Sequence, residues 1–242
     1  MSKKLAAVDI DGTLFRWQLF HELVFELKDQ QLLDSEASIA LEKAFVDWRA
    51  LKTSWHEYES QVVTVITDHI TRIKPEELEL AARRVVARSG HKVYAYTAQL
   101  VKSLKEQGYT LLAISGSQQE IAELFAKRYG FDDCIGMLYE RDEKGNYTGK
   151  YERFVVGRKA EMIKAYALKN DISLQASYAV GDSKGDISML ELVENPIAFN
   201  PDEDLQKVAM QHHWPIVIER KNLAYRLESD GDGYALAETI IF

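Results

Sequence analysis

Two hydrophobic periodicities divide the chain. No glycine lies between Gly12 and Gly90, and Pro75 is the one proline of that stretch. Its apolar positions recur at helical spacing: Leu19, Leu23, Val24 and Leu27; then Leu41, Ala44, Phe45, Trp48 and Leu51; then Tyr58, Val62, Val65, Ile66 and Ile73. The intervening Leu, Ala, Glu, Lys and Gln are good helix formers. Ser54-Trp55-His56-Glu57 has the form of a capping box opening the third of these helices. Pro75 suits the first turn of a fourth, with Leu78, Ala82, Val85 and Val86 on its inner face. Residues 17–89 therefore read as a small helical bundle.

The flanks are patterned differently. Leu5 to Ile10 is a short apolar run ending in acids, as in a buried strand. A helix near Tyr94 to Gln107 stops at Gly108, and Thr110 to Ile114 reads as a second buried strand, followed by Ser115-Gly116-Ser117 and a helix to Tyr129. Ser177 to Val180 is a third strand, and Ile197 to Phe199 and Ile216 to Ile218 are two more. Strands alternating with helices imply a parallel sheet covered on both faces. The exception is Tyr139 to Tyr151, whose centre Glu143-Lys144-Gly145-Asn146 reads as the turn of a hairpin. The expected fold class is α/β, a doubly wound, Rossmann-like parallel sheet with a small β-hairpin and a helical bundle inserted after the first strand. The core then comprises residues 1–16 and 90–242, and the insertion residues 17–89.

Composition narrows the function classes. The 242 residues carry 30 Lys+Arg against 38 Asp+Glu, a formal charge of −8, which argues against a sequence-independent grip on nucleic acid. Cys134 is the only cysteine, so no internal disulfide framework or multi-cysteine metal site exists. The run behind Met1 to Leu5 is broken by Asp9 and Asp11, too short for a signal sequence or membrane span. The expectation is a cytoplasmic protein, monomeric or homodimeric, without membrane or nucleic-acid partners.

Polar residues gather where the strands end: Asp9 and Asp11 after the first, Ser115 after the second, Asp182 and Asp186 after the third. Open α/β sheets bind ligands at the carboxyl ends of their strands. Four carboxylates converging there repel one another and resist ionising. A hard divalent cation with oxygen ligands relieves this, and Mg²⁺ suits a few carboxylates plus a substrate phosphate. Gly157-Arg158-Lys159 opens a helix before the third strand, placing Lys159 within reach. Each piece alone admits a plainer reading: an Asx-rich turn at 9–13, a helix cap for Ser115, a solvated lysine, an N-cap for Asp182 and a first-turn acid for Asp186.

Taken in order, these pieces resemble the haloacid dehalogenase-like superfamily, in its branch of phosphoserine phosphatase-like enzymes. The first motif is matched by Asp9-Ile10-Asp11-Gly12-Thr13-Leu14, the second by Ile114-Ser115-Gly116-Ser117, the third by Lys159 and the fourth by Val180-Gly181-Asp182-Ser183-Lys184-Gly185-Asp186. The resemblance spans about residues 4–220, and the helical insertion matches that branch's cap. It implies a phosphatase acting on a small soluble phosphate ester. Asp9 would attack phosphorus to form an aspartyl-phosphate, and Asp11 would protonate the leaving oxygen and then deprotonate water. Ser115 and the Gly116 N–H would hold phosphoryl oxygens beside Gly12 and Thr13, and Lys159 would neutralise charge. Mg²⁺ would be held by Asp9, the Asp11 carbonyl and Asp182, with Asp186 orienting Lys159 or a metal-bound water. An acid at Asp11 favours phosphoryl transfer over carbon–halogen hydrolysis, which needs only the nucleophile.

The chain departs from the branch in its specificity positions. Gln18 stands where an acid holds the substrate ammonium, with Glu22 one helical turn on. The place of a cap arginine falls near Val65, and Arg49 and Arg72 are the nearest arginines in sequence; Gly185 replaces a frequent Asn. Arg16, Trp17, Phe20, Trp55 and Tyr58 line either a different pocket or the bundle core. His21, His56 and His69 lack metal-ligand spacing, and the adjacent His212 and His213 point apart. Ser229 to Gly233 reads as a C-terminal turn, lacking the loop glycine a calcium site needs. Three function classes remain: a phosphatase, including phosphoserine phosphatase; a phosphotransferase; and a non-catalytic binding protein on the same fold.

Overall fold

The computed structural model of the chain describes residues 3–231 and 233–242. Asp232, at the centre of the expected C-terminal turn, and Met1 and Ser2 lie outside the described residues. Among the described residues no helix is long and apolar enough to cross a membrane.

The chain opens with β1 (Lys3–Asp9), whose alternate side chains divide between two cores: Leu5 and Ala7 face one, Ala6 and Val8 the other. Four helices follow, α1 (Leu19–Asp29), α2 (Ser35–Arg49), α3 (Trp55–His69) and α4 (Pro75–Ser89). Their boundaries have local causes. Asp34 caps α2 by accepting from the Ala37 N–H, 2.9 Å. The expected box caps α3: Ser54 Oγ accepts from the Glu57 N–H while Glu57 accepts from the Ser54 N–H. Pro75 stands in the first turn of α4. Leu51, counted above in the helical repeat of the second helix, instead lies beyond its end with φ 57°, 91% exposed.

The chain returns to the sheet through α5 (Ala95–Glu106) and β2 (Thr110–Gln118), then α6 (Gln119–Arg128), β3 (Asp133–Arg141) and β4 (Tyr147–Arg153). Next come α7 (Lys159–Lys169), β5 (Ile172–Gly181), a 3-10 turn (Lys184–Asp186) running into the short α8 (Ile187–Leu190), β6 (Asn195–Phe199), α9 (Glu203–His212) and β7 (Ile216–Arg220). The hairpin β8 (Leu223–Asp230) and β9 (Gly233–Ile241) completes it. The strand order is β4-β3-β2-β1-β5-β6-β7-β8-β9. The strands from β3 to β7 run parallel, and β4, β8 and β9 extend the two edges antiparallel.

Three elements differ from the sequence reading. The first half of β3 pairs with β2 as a full parallel strand, with Cys134 beside Ala113. The expected hairpin is the second half of β3 with β4, turning at Asp142 to Asn146. The sheet is mixed, because β8 and β9 add an antiparallel edge that the sequence reading left out. Helices cover both faces, α5 and α6 on one and α7, α8 and α9 on the other. The insertion helices share one continuous core with α6, β3 and β4 through Phe125, Tyr139 and Tyr147.

Candidate active site

The parallel register builds the site. Asp9 lies beside Ile114 and Val8 beside Val180, so the carboxyl ends of β1, β2 and β5 finish level. The order reverses around β1, whose neighbours are β2 and β5, and this reversal opens a crevice at those carboxyl ends. Asp9, Ser115 and Asp182 are delivered to it from three separate strands. Lys159 enters from below as the first residue of α7.

Two hydrogen-bonded groups share the crevice. In the first, buried Lys159 Nζ donates to Asp9 Oδ1 and Asp186 Oδ1, each at 2.6 Å. Asp186 Oδ2 accepts from the backbone N–H groups of Asp182 (3.1 Å) and Ser183 (3.0 Å) and from the Ser183 hydroxyl (3.1 Å). Both Asp186 oxygens are thus occupied, and the residue fixes Lys159 and the 182–183 backbone. Thr13 Oγ1 donates to Asp182 Oδ1, 3.0 Å. Among the described residues nothing donates to Asp9 Oδ2 or Asp182 Oδ2. Gly12 makes the close approach possible: its φ is +86°, and an added Cβ would lie 2.1 Å from Asp182 Oδ2.

The second group surrounds Asp11. Its Oδ2 accepts from the hydroxyls of Ser115 (2.5 Å) and Ser117 (2.9 Å), and its Oδ1 from the Leu19 N–H (2.5 Å). The Asp11 carboxylate therefore faces α1 and β2 and stays outside the group of three, Asp9, Asp182 and Asp186, whose oxygens lie within 4.8 Å of one another.

Burial sets the electrostatics. It raises the Asp9 carboxyl to about 7, with Lys159 opposing and Asp186 and Asp11 adding to the rise. Burial, then Asp9 and Asp186, hold Asp182 well above the usual carboxylate range. Burial also raises Asp11, against the hydrogen bonds from Ser115, Leu19 and Ser117. Burial disfavours the Lys159 ammonium, yet Asp186 and Asp9 together outweigh it and keep the group charged. Carboxyl groups crowded together and resisting ionisation, two with an unengaged oxygen, fit a hard divalent cation; the donor set of Asp9 and Asp182 oxygens suits Mg²⁺.

The residues expected to set specificity scatter. Gln18 is the N-cap residue of α1 without a side-chain capping bond. The Glu22 carboxylate accepts from Ser89 Oγ at 3.0 Å and pairs with Arg88 (3.5 Å) and Lys92 (3.9 Å), which ties α1 to the end of α4. Arg16 packs on Tyr94 and pairs with buried Glu219, whose carboxylate also accepts from the first N–H groups of α5, Ala95 and Tyr96. Gly116 is exposed at the crevice rim, whereas Ser115 is fully buried. Val65 is buried, and Arg49 and Arg72 are exposed. Tyr58 lies in the bundle core, stacked on Trp48, while Trp17, Phe20 and Trp55 remain half-buried around it.

Sequence reasoning gave no role to Ser117, Ser183 or Glu219. Ser117 and Ser183 sit inside two of the quoted motifs, so the motif spacing contained that signal; Glu219 left none.

Comparison with known proteins agrees with this geometry. A family model described as haloacid dehalogenase-like hydrolase matches residues 6–191. A histidinol-phosphatase of Neisseria meningitidis serogroup C is 26% identical over 228 residues, covering 89% of this chain and 98% of that protein. An "inhibition of morphological differentiation protein" of Streptomyces azureus is 32% identical over 126 residues, 52% of this chain and 46% of that protein. The chain thus spans about half of the Streptomyces protein and nearly all of the Neisseria one. A solved phospho-aspartyl intermediate analogue of phosphoserine phosphatase superposes with a TM-score of 0.60 at 22% identity, over 91% of this chain and 95% of that one. With its motifs at the strand ends and the family match over most of its length, the chain belongs to the haloacid dehalogenase-like hydrolases.

Proposed function

We propose that the chain is a Mg²⁺-dependent phosphatase that hydrolyses a small-molecule phosphate monoester through an aspartyl-phosphate on Asp9. The observation that carries this reading is the division of labour between two carboxylates two residues apart, one buried and one half-buried. Asp9 is clamped by Lys159 with one oxygen unengaged, while Asp11 is turned away from that cluster into its own set of donors. The Asp9 carboxylate attacks phosphorus as the bond to the leaving oxygen breaks, and Asp11 gives that oxygen its proton. Asp11, now ionised, takes a proton from water as the water oxygen attacks phosphorus; inorganic phosphate leaves and Asp9 is restored. Lys159 offsets the charge between Asp9 and the entering dianion, and Ser115 with the Gly116 N–H receives phosphoryl oxygens. Asp9, Asp182 and the Asp11 carbonyl would hold Mg²⁺, which would supply positive charge to offset that of the phosphoryl group.

In this reading residues 17–89 act as a cap over a core of residues 1–16 and 90–242, covering the crevice and selecting the ester. The engagement of Glu22 with Ser89, Arg88 and Lys92, together with Gln18 at the family's ammonium position, speaks against phosphoserine as the preferred ester. Histidinol phosphate belongs in the test panel on the strength of the Neisseria relative. Asp9→Asn is expected to abolish turnover of 4-nitrophenyl phosphate, and chelation of Mg²⁺ to do the same reversibly. Unchanged turnover in the Asn variant excludes the aspartyl-phosphate route. Release of free phosphate, rather than transfer to an added alcohol, separates hydrolase from phosphotransferase.

A further inference from the structure

The N-terminus of α1 is capped from outside its own segment. Its N-cap residue Gln18 makes no side-chain capping bond. The first two amide groups of the helix go elsewhere: the Leu19 N–H donates to Asp11 Oδ1 and the Phe20 N–H to Ser117 Oγ, 2.9 Å. Ser117 in turn donates its hydroxyl proton to Asp11 Oδ2, 2.9 Å, and its backbone N–H to Ser115 Oγ, 2.9 Å. Ser117 is 1% exposed and lies near the end of β2, its hydroxyl held by two partners and its backbone by a third.

A hydroxyl has a single proton to donate. Ser115 now directs its proton to Asp11, and when that proton turns to a phosphoryl oxygen, Asp11 Oδ2 loses a donor. Ser117 has no such competing duty. Its hydroxyl remains on Oδ2 while the Leu19 N–H remains on Oδ1, and together they fix the plane of the carboxylate.

We infer that Ser117 is a positioning residue for the acid–base carboxylate of Asp11, holding it to the N-terminus of α1 while Ser115 turns to the phosphoryl group. The inference rests on the phosphatase reading above. It makes the orientation of Asp11 depend on the seating of the first insertion helix, through one side chain on a different strand.

The test uses the full chain with Mg²⁺ and a series of aryl phosphates running from 4-nitrophenyl to phenyl phosphate. A misplaced general acid matters most when the leaving oxygen is most basic. Ser117→Ala is expected to lower kcat/KM at least about tenfold for phenyl phosphate and less than about threefold for 4-nitrophenyl phosphate, steepening the dependence on leaving group. Ser117→Thr, which keeps the hydroxyl, is expected to restore the wild-type slope. Ser117→Cys keeps the volume with a weak donor and reads the same slope should the Ala variant melt below the assay temperature. An equal loss across the series, or none, overturns the inference while leaving the phosphatase reading standing. A wild-type chain that turns over none of these esters overturns both.

Discussion

The site at the strand ends and the aromatic cluster between α1, α2 and α3 are both buried and both contain polar groups, but they handle them in opposite ways. At the strand ends Lys159, Asp9 and Asp186 are 7%, 3% and 0% exposed, and their charges are matched by an ion-pair triad, backbone N–H groups and a hydroxyl. In the cluster His21 and Tyr58 are each 1% exposed, surrounded by Trp17, Phe20, Phe45, Trp48 and Trp55. Among the described residues, neither ring nitrogen of His21 nor the Tyr58 hydroxyl has a hydrogen-bond partner. Burial without a partner pushes the His21 imidazole down to about 4, so it is neutral near pH 7. The difference shows where polar burial serves chemistry and where apolar packing carries it along. At the site, removing any one group strands another charge; in the cluster, removing the polar atoms strands nothing.

The largest effect that would sharpen this contrast is expected at Lys159. Lys159→Met leaves Asp9 and Asp186 buried without their cation and is expected to lower stability by about 3–5 kcal/mol in chelator, read from urea unfolding at pH 7. A loss under about 1 kcal/mol would mean that the triad is not a matched unit.

Next is the pH response of His21. Below pH 6.5 the unfolded chain binds the imidazole proton, whereas the folded chain takes it up only near pH 4. The group therefore contributes nothing above pH 6.5 and lowers stability progressively as pH falls through that window, by about 3 kcal/mol at the acid end. His21→Phe is expected to melt like the wild type at pH 7.5 and to lose less stability on acidification. Parallel melting curves down to pH 4 would show that a partner or water already satisfies the imidazole.

The smallest effect belongs to Tyr58→Phe. It removes an unpartnered hydroxyl from a stacked ring and is expected to change stability by less than about 1 kcal/mol, toward stabilisation. A larger loss would place a hydrogen-bond partner on that hydroxyl and dissolve the contrast between the two regions.

Much of the fold was legible because its signals are local. The capping box at Ser54 and Glu57, Pro75 at the start of α4, and the helical spacing from Leu19 to Val86 each depend on residues within one or two turns. The strand ends were legible too, because each apolar run stops at a polar residue, Asp9, Ser115 or the Gly181-Asp182 pair. The C-terminal hairpin was not legible. β9 is largely exposed and, among the described residues, pairs only with β8, so it lacks the continuous apolar run that marks an interior strand. The first half of β3 escaped for a related reason: Gly136 interrupts its short apolar stretch. The cause lies across the fold, where a Cβ at that position would come within 2.9 Å of the Gln119 Cα and the Ser117 carbonyl oxygen.

The sequence by itself determined the order of the elements, the residue types at each strand end and the chemistry those types permit. A carboxylate, hydroxyl or ammonium keeps its donors and acceptors wherever the chain places it. Only the tertiary structure decided which oxygen meets which donor. It turned Asp11 toward α1, committed both oxygens of Asp186 to Lys159 and the 182–183 backbone, bound Glu22 into the α4 contact and brought Ser117 between α1 and Asp11. These pairings link residues as far as 106 positions apart, and parallel strand register fixes them in space.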